Sequence, residues 1–160
     1  MSDMDKPLPP DELGHRVSEV FDLVGALYRR GLRKLEQDEA AGGVSVGVRS
    51  VLVLLHRYGP MTVPQMARIM ALTRQFVQRM TNEAMDRGWA EATPNPAHQR
   101  SSLIRITDEG VAVITAILAR EHALNRQVGG GELTEAELRA CVRVLKEMLR
   151  TFDHVDVDVD

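Results

Sequence analysis

The chain has 160 residues, of which 44% are hydrophobic and 27% charged, with a formal net charge of -3. Such a composition excludes a disordered chain, and the length suits one domain, or one domain with an appendage, that buries a core without disulfides or metals. The lone Cys141 excludes an internal disulfide and a cysteine-based structural zinc site. Aromatic residues are only 4%, so the core must be built from Leu, Val, Ile, Met and Ala. The N-terminus is acidic and proline-rich and does not read as a signal peptide. Val51–Leu55 and Val111–Ala119, the longest aliphatic stretches, fall far short of the roughly 20 apolar residues that span a bilayer. The expected setting is a reducing cytoplasm, with no membrane partner.

Residues 1–10 read as a flexible arm, because Pro7, Pro9 and Pro10 oppose helix. Asp11 can cap the first helix. Leu13, Val17, Val20, Val24 and Leu27 recur at three- and four-residue steps towards Leu35, which predicts an amphipathic helix of about seven turns ending before Gly42 and Gly43. Ser45 caps a second helix through Tyr58, and Gly59-Pro60 stops it. Thr62 and Gln65 form a capping box for a short third helix to about Met70. After a turn at Leu72-Thr73, Thr73 caps a fourth helix from Arg74 to Arg87, ended by Gly88.

The periodicity then changes. Ala90–Thr93 and Ser102–Ile106 read as the strands of a β-hairpin, with the turn formers between Pro94 and Ser101 as its long polar tip. Thr107-Asp108-Glu109 opens a fifth helix to about Val128, broken by Gly129–Gly131. Thr134 and Glu137 form a second capping box. They start a sixth helix, with the stripe Leu138, Val142, Leu145, Leu149 and Phe152. Residues 154–160 read as an acidic tail. The predicted fold class is therefore mainly α with a small β-hairpin.

Helix, short turn, helix from Thr62 to Arg87 is the shape of a DNA-binding helix-turn-helix, and the hairpin directly after it is the wing of a winged helix. On the second helix Val77, Met80 and Ala84 are spaced for a core. Arg74, Gln75, Gln78 and Arg79 cluster near its start on other faces. Arginine can donate two bonds to guanine, and glutamine can pair bidentately with adenine. Arg100 stands near the wing tip. Between Met61 and Thr107 the cations Arg68, Arg74, Arg79, Arg87, Arg100 and Arg105 face only Glu83, Asp86 and Glu91. The centre of an acidic chain is thus basic, which suits a phosphate-facing surface. Thr62 and Thr73 are candidates for phosphate contact in addition to capping.

Particular stretches are similar to the MarR family of transcriptional regulators. They are Met61–Ala67, Leu72–Arg79, Asp86–Trp89, and Arg100–Gly110, whose Ile106-Thr107-Asp108-Glu109-Gly110 resembles that family's "Leu-Thr-x-x-Gly" start of a helix. One departure stands in the wing, where His98-Gln99-Arg100 replaces the usual Asp-x-Arg. The resemblance covers residues 11–153 and implies a single unit. Residues 45–107 would be its winged-helix DNA-binding part, and 11–41 and 108–153 its dimerisation helices. It further implies a homodimer on double-stranded DNA, most simply a repressor of a palindromic operator. Release by a small aromatic or phenolic effector is part of that expectation, with Tyr28, Arg29 and His56 as candidate ligand contacts.

No nucleophile elbow, P-loop or dinucleotide fingerprint occurs, so an enzyme is not expected. His15, His56, His98, His122 and His154 are scattered without metal-ligand spacing, and neither a metal nor a cofactor is expected. Cys141 reads as a small residue at a helix interface. The alternative function is a winged-helix module that binds protein instead of DNA.

Overall fold

A computed structural model describes residues 6–37 and 43–154. The order is α1 (Pro10–Glu36), α2 (Val46–Tyr58), α3 (Val63–Met70), α4 (Arg74–Asp86), β1 (Ala90–Thr93), β2 (Leu103–Ile106), α5 (Asp108–Asn125), a 3-10 turn at Val128–Gly131, and α6 (Glu135–His154). The expected arm is described only from Lys6, and most of the expected acidic tail, residues 155–160, lies outside the described residues. Two compact units divide between Ile117 and Leu118, within α5.

The first unit is organised around α2. Val48, Val51, Leu52 and Leu55 are fully or almost fully buried, as are Met66 of α3, Val77 and Ala84 of α4, Ile104 of β2 and Ile114 of α5. α2 packs against α4 and β2, and α3 packs against α4. No aromatic residue belongs to this buried set, as the composition predicts.

Local chemistry sets most of the boundaries. The Val48 amide donates to Ser45 Oγ at 3.3 Å, and Gly59, at φ 79°, donates to the Leu55 carbonyl. At α3 the capping box is complete: the Gln65 amide donates to Thr62 Oγ1 and the Thr62 amide to Gln65 Oε1. Ala71 closes α3 in the left-handed region, at φ 51° and ψ 43°, with its amide and that of Leu72 returning to α3 carbonyls. The Phe76 amide donates to Thr73 Oγ1 at 3.2 Å and starts α4. Thr81, fully buried in α4, satisfies its hydroxyl on the Val77 carbonyl at 2.8 Å.

Pro10 departs from the expectation. It opens α1 instead of opposing it, because a proline in the first turn lacks only an N–H that no helical carbonyl would have accepted. α1 carries Asp11 and Glu12 in its first turn and Arg33 and Lys34 in its last, the arrangement that suits the helix dipole.

β1 and β2 pair antiparallel in the register Ala90 with Ile106 and Thr93 with Leu103. Met61 exchanges both backbone bonds with Ile104, at 3.0 and 2.8 Å, so the wing is tied to the residue just before the Thr62 cap of α3. The hairpin's other end is fastened by Thr107. Its amide donates to the Trp89 carbonyl, its hydroxyl donates to the Gly88 carbonyl at 2.6 Å, and Oγ1 accepts from the Gly110 amide. A Cβ on Gly110 would lie 2.0 Å from the Trp89 carbonyl oxygen and 2.8 Å from Ile106 Cγ1. Gly110 is therefore a close-approach point between α5 and the start of the wing.

In the second unit α5 ends at Asn125, earlier than about Val128, and Gly129 and Gly130 take φ of 62° and 67° in the next turn. The Thr134–Glu137 capping box forms as predicted. Hydrogen bonds from the Thr134 hydroxyl and then its backbone amide hold the Glu137 carboxyl below its ordinary value. Among the described residues no helix is long and apolar enough to cross a membrane.

Gly110→Ala should destabilise the fold by about 1–3 kcal/mol, the usual cost of an atom forced into a packed site. The obstructing atom is a backbone carbonyl held by the Thr107 amide and cannot yield without breaking that bond. Thermal unfolding followed by circular dichroism checks it; an unchanged midpoint contradicts the close-approach account.

Candidate nucleic-acid interface

The inner face of α4 fixes how the helix is turned. Val77, Met80, Thr81 and Ala84 are buried, so the residues between them project outwards. Arg74, Gln75, Gln78 and Arg79 are all exposed. The helix periodicity thus brings the predicted reading residues together on one outward-facing side, near the end that carries free amide donors.

The first turn of α4 holds no acidic residue. Arg74 stands there instead, where a positive charge opposes the helix dipole at an unfavourable end. A local rule broken at an exposed helix start is characteristic of a functional surface, and an anion such as phosphate would repair it.

Two side-chain pairs lie along this surface. The Gln78 amide donates to Asn82 Oδ1 at 2.8 Å. The Arg79 guanidinium lies over the Phe76 ring, 5.2 Å from its centroid. Neither Asn82 nor Phe76 stands out when the polar residues of the helix are read one at a time. The i,i+4 spacing of Gln78 with Asn82 and the i,i+3 spacing of Phe76 with Arg79 are the signals that could have found them.

The two threonines part company. Thr73 is exposed and caps α4. Thr62 is 9% exposed, and its hydroxyl and amide are both engaged by Gln65. Its chemistry is spent on starting α3, which leaves little of it for a phosphate.

The wing tip is ordered by its own polar groups. Asn95 Oδ1 accepts from the Ala97 amide, Asn95 Nδ2 donates to Ser101 Oγ, and the Ser101 amide returns to the His98 carbonyl. His98, Gln99 and Arg100 are exposed on it. On the strands, Arg105 forms an ion pair with Glu91, its directly opposite partner in the register. That pair cancels one charge of each sign and leaves the positive excess of the central segment intact. Arg87 stacks over Trp89, 4.8 Å from the ring centroid, at the exit of α4.

Tyr28 and Arg29 on α1 and His56 near the end of α2 are all exposed, Tyr28 by 62%. The Arg29 guanidinium folds back over Gly25 of its own helix. Two surface hollows in the second unit are lined by residues of α6, of the turn before it and of the end of α5, and none of these three residues lines them. Cys141 is exposed on α6. No group of three or more potential metal ligands occurs among the described residues.

A family model described as "MarR family" matches residues 43–101, the segment from the approach to α2 through the wing tip. An uncharacterized protein of Mycobacterium tuberculosis is 34% identical over 139 residues, covering 87% of this chain and 93% of its own. A crystal structure of a MarR family transcription regulator superposes with a TM-score of 0.72 at 30% identity, covering 89% of this chain and 95% of that one. Two further structures share the fold. A mutant of E. coli MarR in complex with operator DNA matches at TM-score 0.70 and 19% identity, covering 84% of this chain and 96% of its own. Bordetella bronchiseptica BpsR, whose DNA binding is regulated by 6-hydroxynicotinic acid, matches at TM-score 0.67 and 22% identity, covering 82% and 98%. The helix order, the hairpin placed directly after α4 and these similarities agree, and the chain belongs to the MarR family of transcription regulators.

Proposed function

We propose that the protein is a repressor that binds a palindromic operator as a homodimer, each α4 entering a major groove. The observation that carries this reading is the exposed set Arg74, Gln75, Gln78 and Arg79 on the helix whose opposite face is buried. Arg74, Gln75, Gln78 and Arg79, near the start of the helix, read bases, and Thr73 at its cap lies where a backbone phosphate is met. Thr62 acts by capping α3 and so holding the turn. The operator complex of the E. coli MarR mutant supplies a precedent for this fold on DNA.

Arg100 reaches the neighbouring minor groove. Narrow A·T-rich DNA concentrates negative potential there, and the base pattern is degenerate. Its contribution is affinity more than sequence information. His98 takes the place of the aspartate that would orient Arg100, which loosens the wing contact.

Exposed apolar surface supports dimerisation. On α1, Leu13, Val24 and Leu27 are exposed, and on α6 so are Leu138, Val142 and Leu149. Apolar stripes of this length on a small chain favour a partner copy, and two-fold symmetry matches a palindromic operator. Cys141 then serves as a small residue within a helix interface. A small aromatic or phenolic effector that binds beside Tyr28, Arg29 and His56 would favour a dimer with misplaced recognition helices, and so release DNA. The regulation of BpsR by 6-hydroxynicotinic acid supports an effector of that class.

Genomic-fragment selection with the purified protein supplies an operator for titration. Gln78→Ala and Arg79→Ala should each lose about 1–3 kcal/mol of discrimination at particular base pairs while keeping helical content. Wild-type affinity and selectivity in both variants would remove α4 as the reader. Arg100→Ala should weaken binding by a similar factor across operator variants and lower the salt slope by about two units per dimer. Superimposable salt curves would mean that the wing stays off the DNA.

Sedimentation equilibrium tests the dimer. The wild type should be dimeric at micromolar concentration, and Leu145→Asp with Leu149→Asp should shift it to monomer by placing charge in the interface. A monomeric wild type contradicts the assembly.

A further inference from the structure

We infer that Phe76 is a specificity-setting residue of the recognition helix: it holds the Arg79 guanidinium over its ring and so leaves the N–H donors of that group for guanine. This inference rests on α4 being the DNA reader. It adds a residue that touches the reader and sets how well the reader discriminates.

The geometry begins with spacing. Residues three apart on a helix are neighbours, and Phe76 precedes Arg79 by one such step. The guanidinium carbon lies 5.2 Å from the ring centroid, within the roughly 6 Å over which the ring quadrupole attracts a cation. Glu83 stands four residues beyond Arg79, a spacing that allows an ion pair, yet among the described residues Arg79 makes no ion pair with a carboxylate. The ring is its contact.

That choice of contact matters chemically. An ion pair with Glu83 would consume the N–H donors at the edge of the guanidinium, the donors that guanine O6 and N7 require. The ring attracts the cation without an oxygen acceptor, and among the described residues the Arg79 N–H donors make no hydrogen bond. An unrestrained arginine would also lose rotamer freedom on meeting a base, a cost that an arginine held over a ring has partly met beforehand. Phe76 is 37% exposed, at the boundary between surface and interior. Its accessible part therefore lies on the same surface as the reader it holds.

The test compares side chains of similar bulk. Phe76→Leu keeps apolar volume but has no π face, and Phe76→Tyr keeps the face. Selections from a random-sequence duplex library are sequenced for the wild type, Arg79→Ala, Phe76→Leu and Phe76→Tyr. The wild type should enrich a guanine whose preference disappears in Arg79→Ala. Phe76→Leu should lower that one preference about 2- to 5-fold, the equivalent of an exposed cation–π contact. Other selected positions should be unchanged, and Phe76→Tyr should restore the guanine. Helical content and melting temperature are measured alongside; if Phe76→Leu fails to fold, Phe76→Met supplies bulk without a π face. An undiminished guanine preference in the Leu or Met variant overturns the inference. So does a loss of affinity spread evenly over all sequences, which would mark Phe76 as structural. A wild type that enriches no sequence, or an Arg79→Ala variant with the wild-type preferences, instead overturns the reading of α4 on which this inference rests.

Discussion

The burial of one face of α4 is the constraint on which the rest depends. Val77, Met80, Thr81 and Ala84 are held against α2 and α3, and this sets the rotation of the helix about its own axis. At about 100° per residue, a single step of error would turn Gln78 or Arg79 into the core and bring Val77 to the surface. Thr81 makes the constraint stricter. A buried hydroxyl must be satisfied, and it is satisfied by the Val77 carbonyl one turn back along the same helix. The outward position of the reading residues is therefore a consequence of core packing.

The wing depends on the same core through two anchors. Met61 bonds to Ile104 on one side, and Thr107 gathers Gly88, Trp89 and Gly110 on the other. Between them the hairpin leaves only its tip unconstrained by strand pairing, and that tip carries Arg100. Charge is organised to match: Arg105 is neutralised within the hairpin by Glu91, whereas the arginines of α4 have no acid in their first turn to oppose them. Cations tied up within the chain contribute structure, and those left outward contribute field.

Much of this is legible in the sequence because it is local. Ser45, Thr62 with Gln65, Thr73, and Thr134 with Glu137 announce helix starts by short-range hydrogen bonding, and each forms accordingly. The glycine after Thr107 is visible only as part of a motif; its reason, a carbonyl of Trp89 where a Cβ would sit, is tertiary. The Met61–Ile104 bridge is not legible, because nothing local couples positions that far apart. Pro10 misleads when proline is treated as a helix opponent without regard to position, since the first turn tolerates it. Phe76 hides because a half-exposed aromatic beside core positions looks like packing. Its pairing with Arg79 emerges only when neighbours on the helical surface are read together.

The central claim is that the outward face of α4 meets the phosphate-lined groove of duplex DNA. Affinity of the wild-type protein for a selected operator duplex, measured against salt concentration, tests it most directly. Log affinity should fall linearly and steeply with log salt, with a slope of about -0.9 for each phosphate neutralised, because condensed counterions are released on binding. Absence of duplex binding at low salt, or an affinity that does not change with salt, would contradict the account and favour a winged helix that meets protein instead.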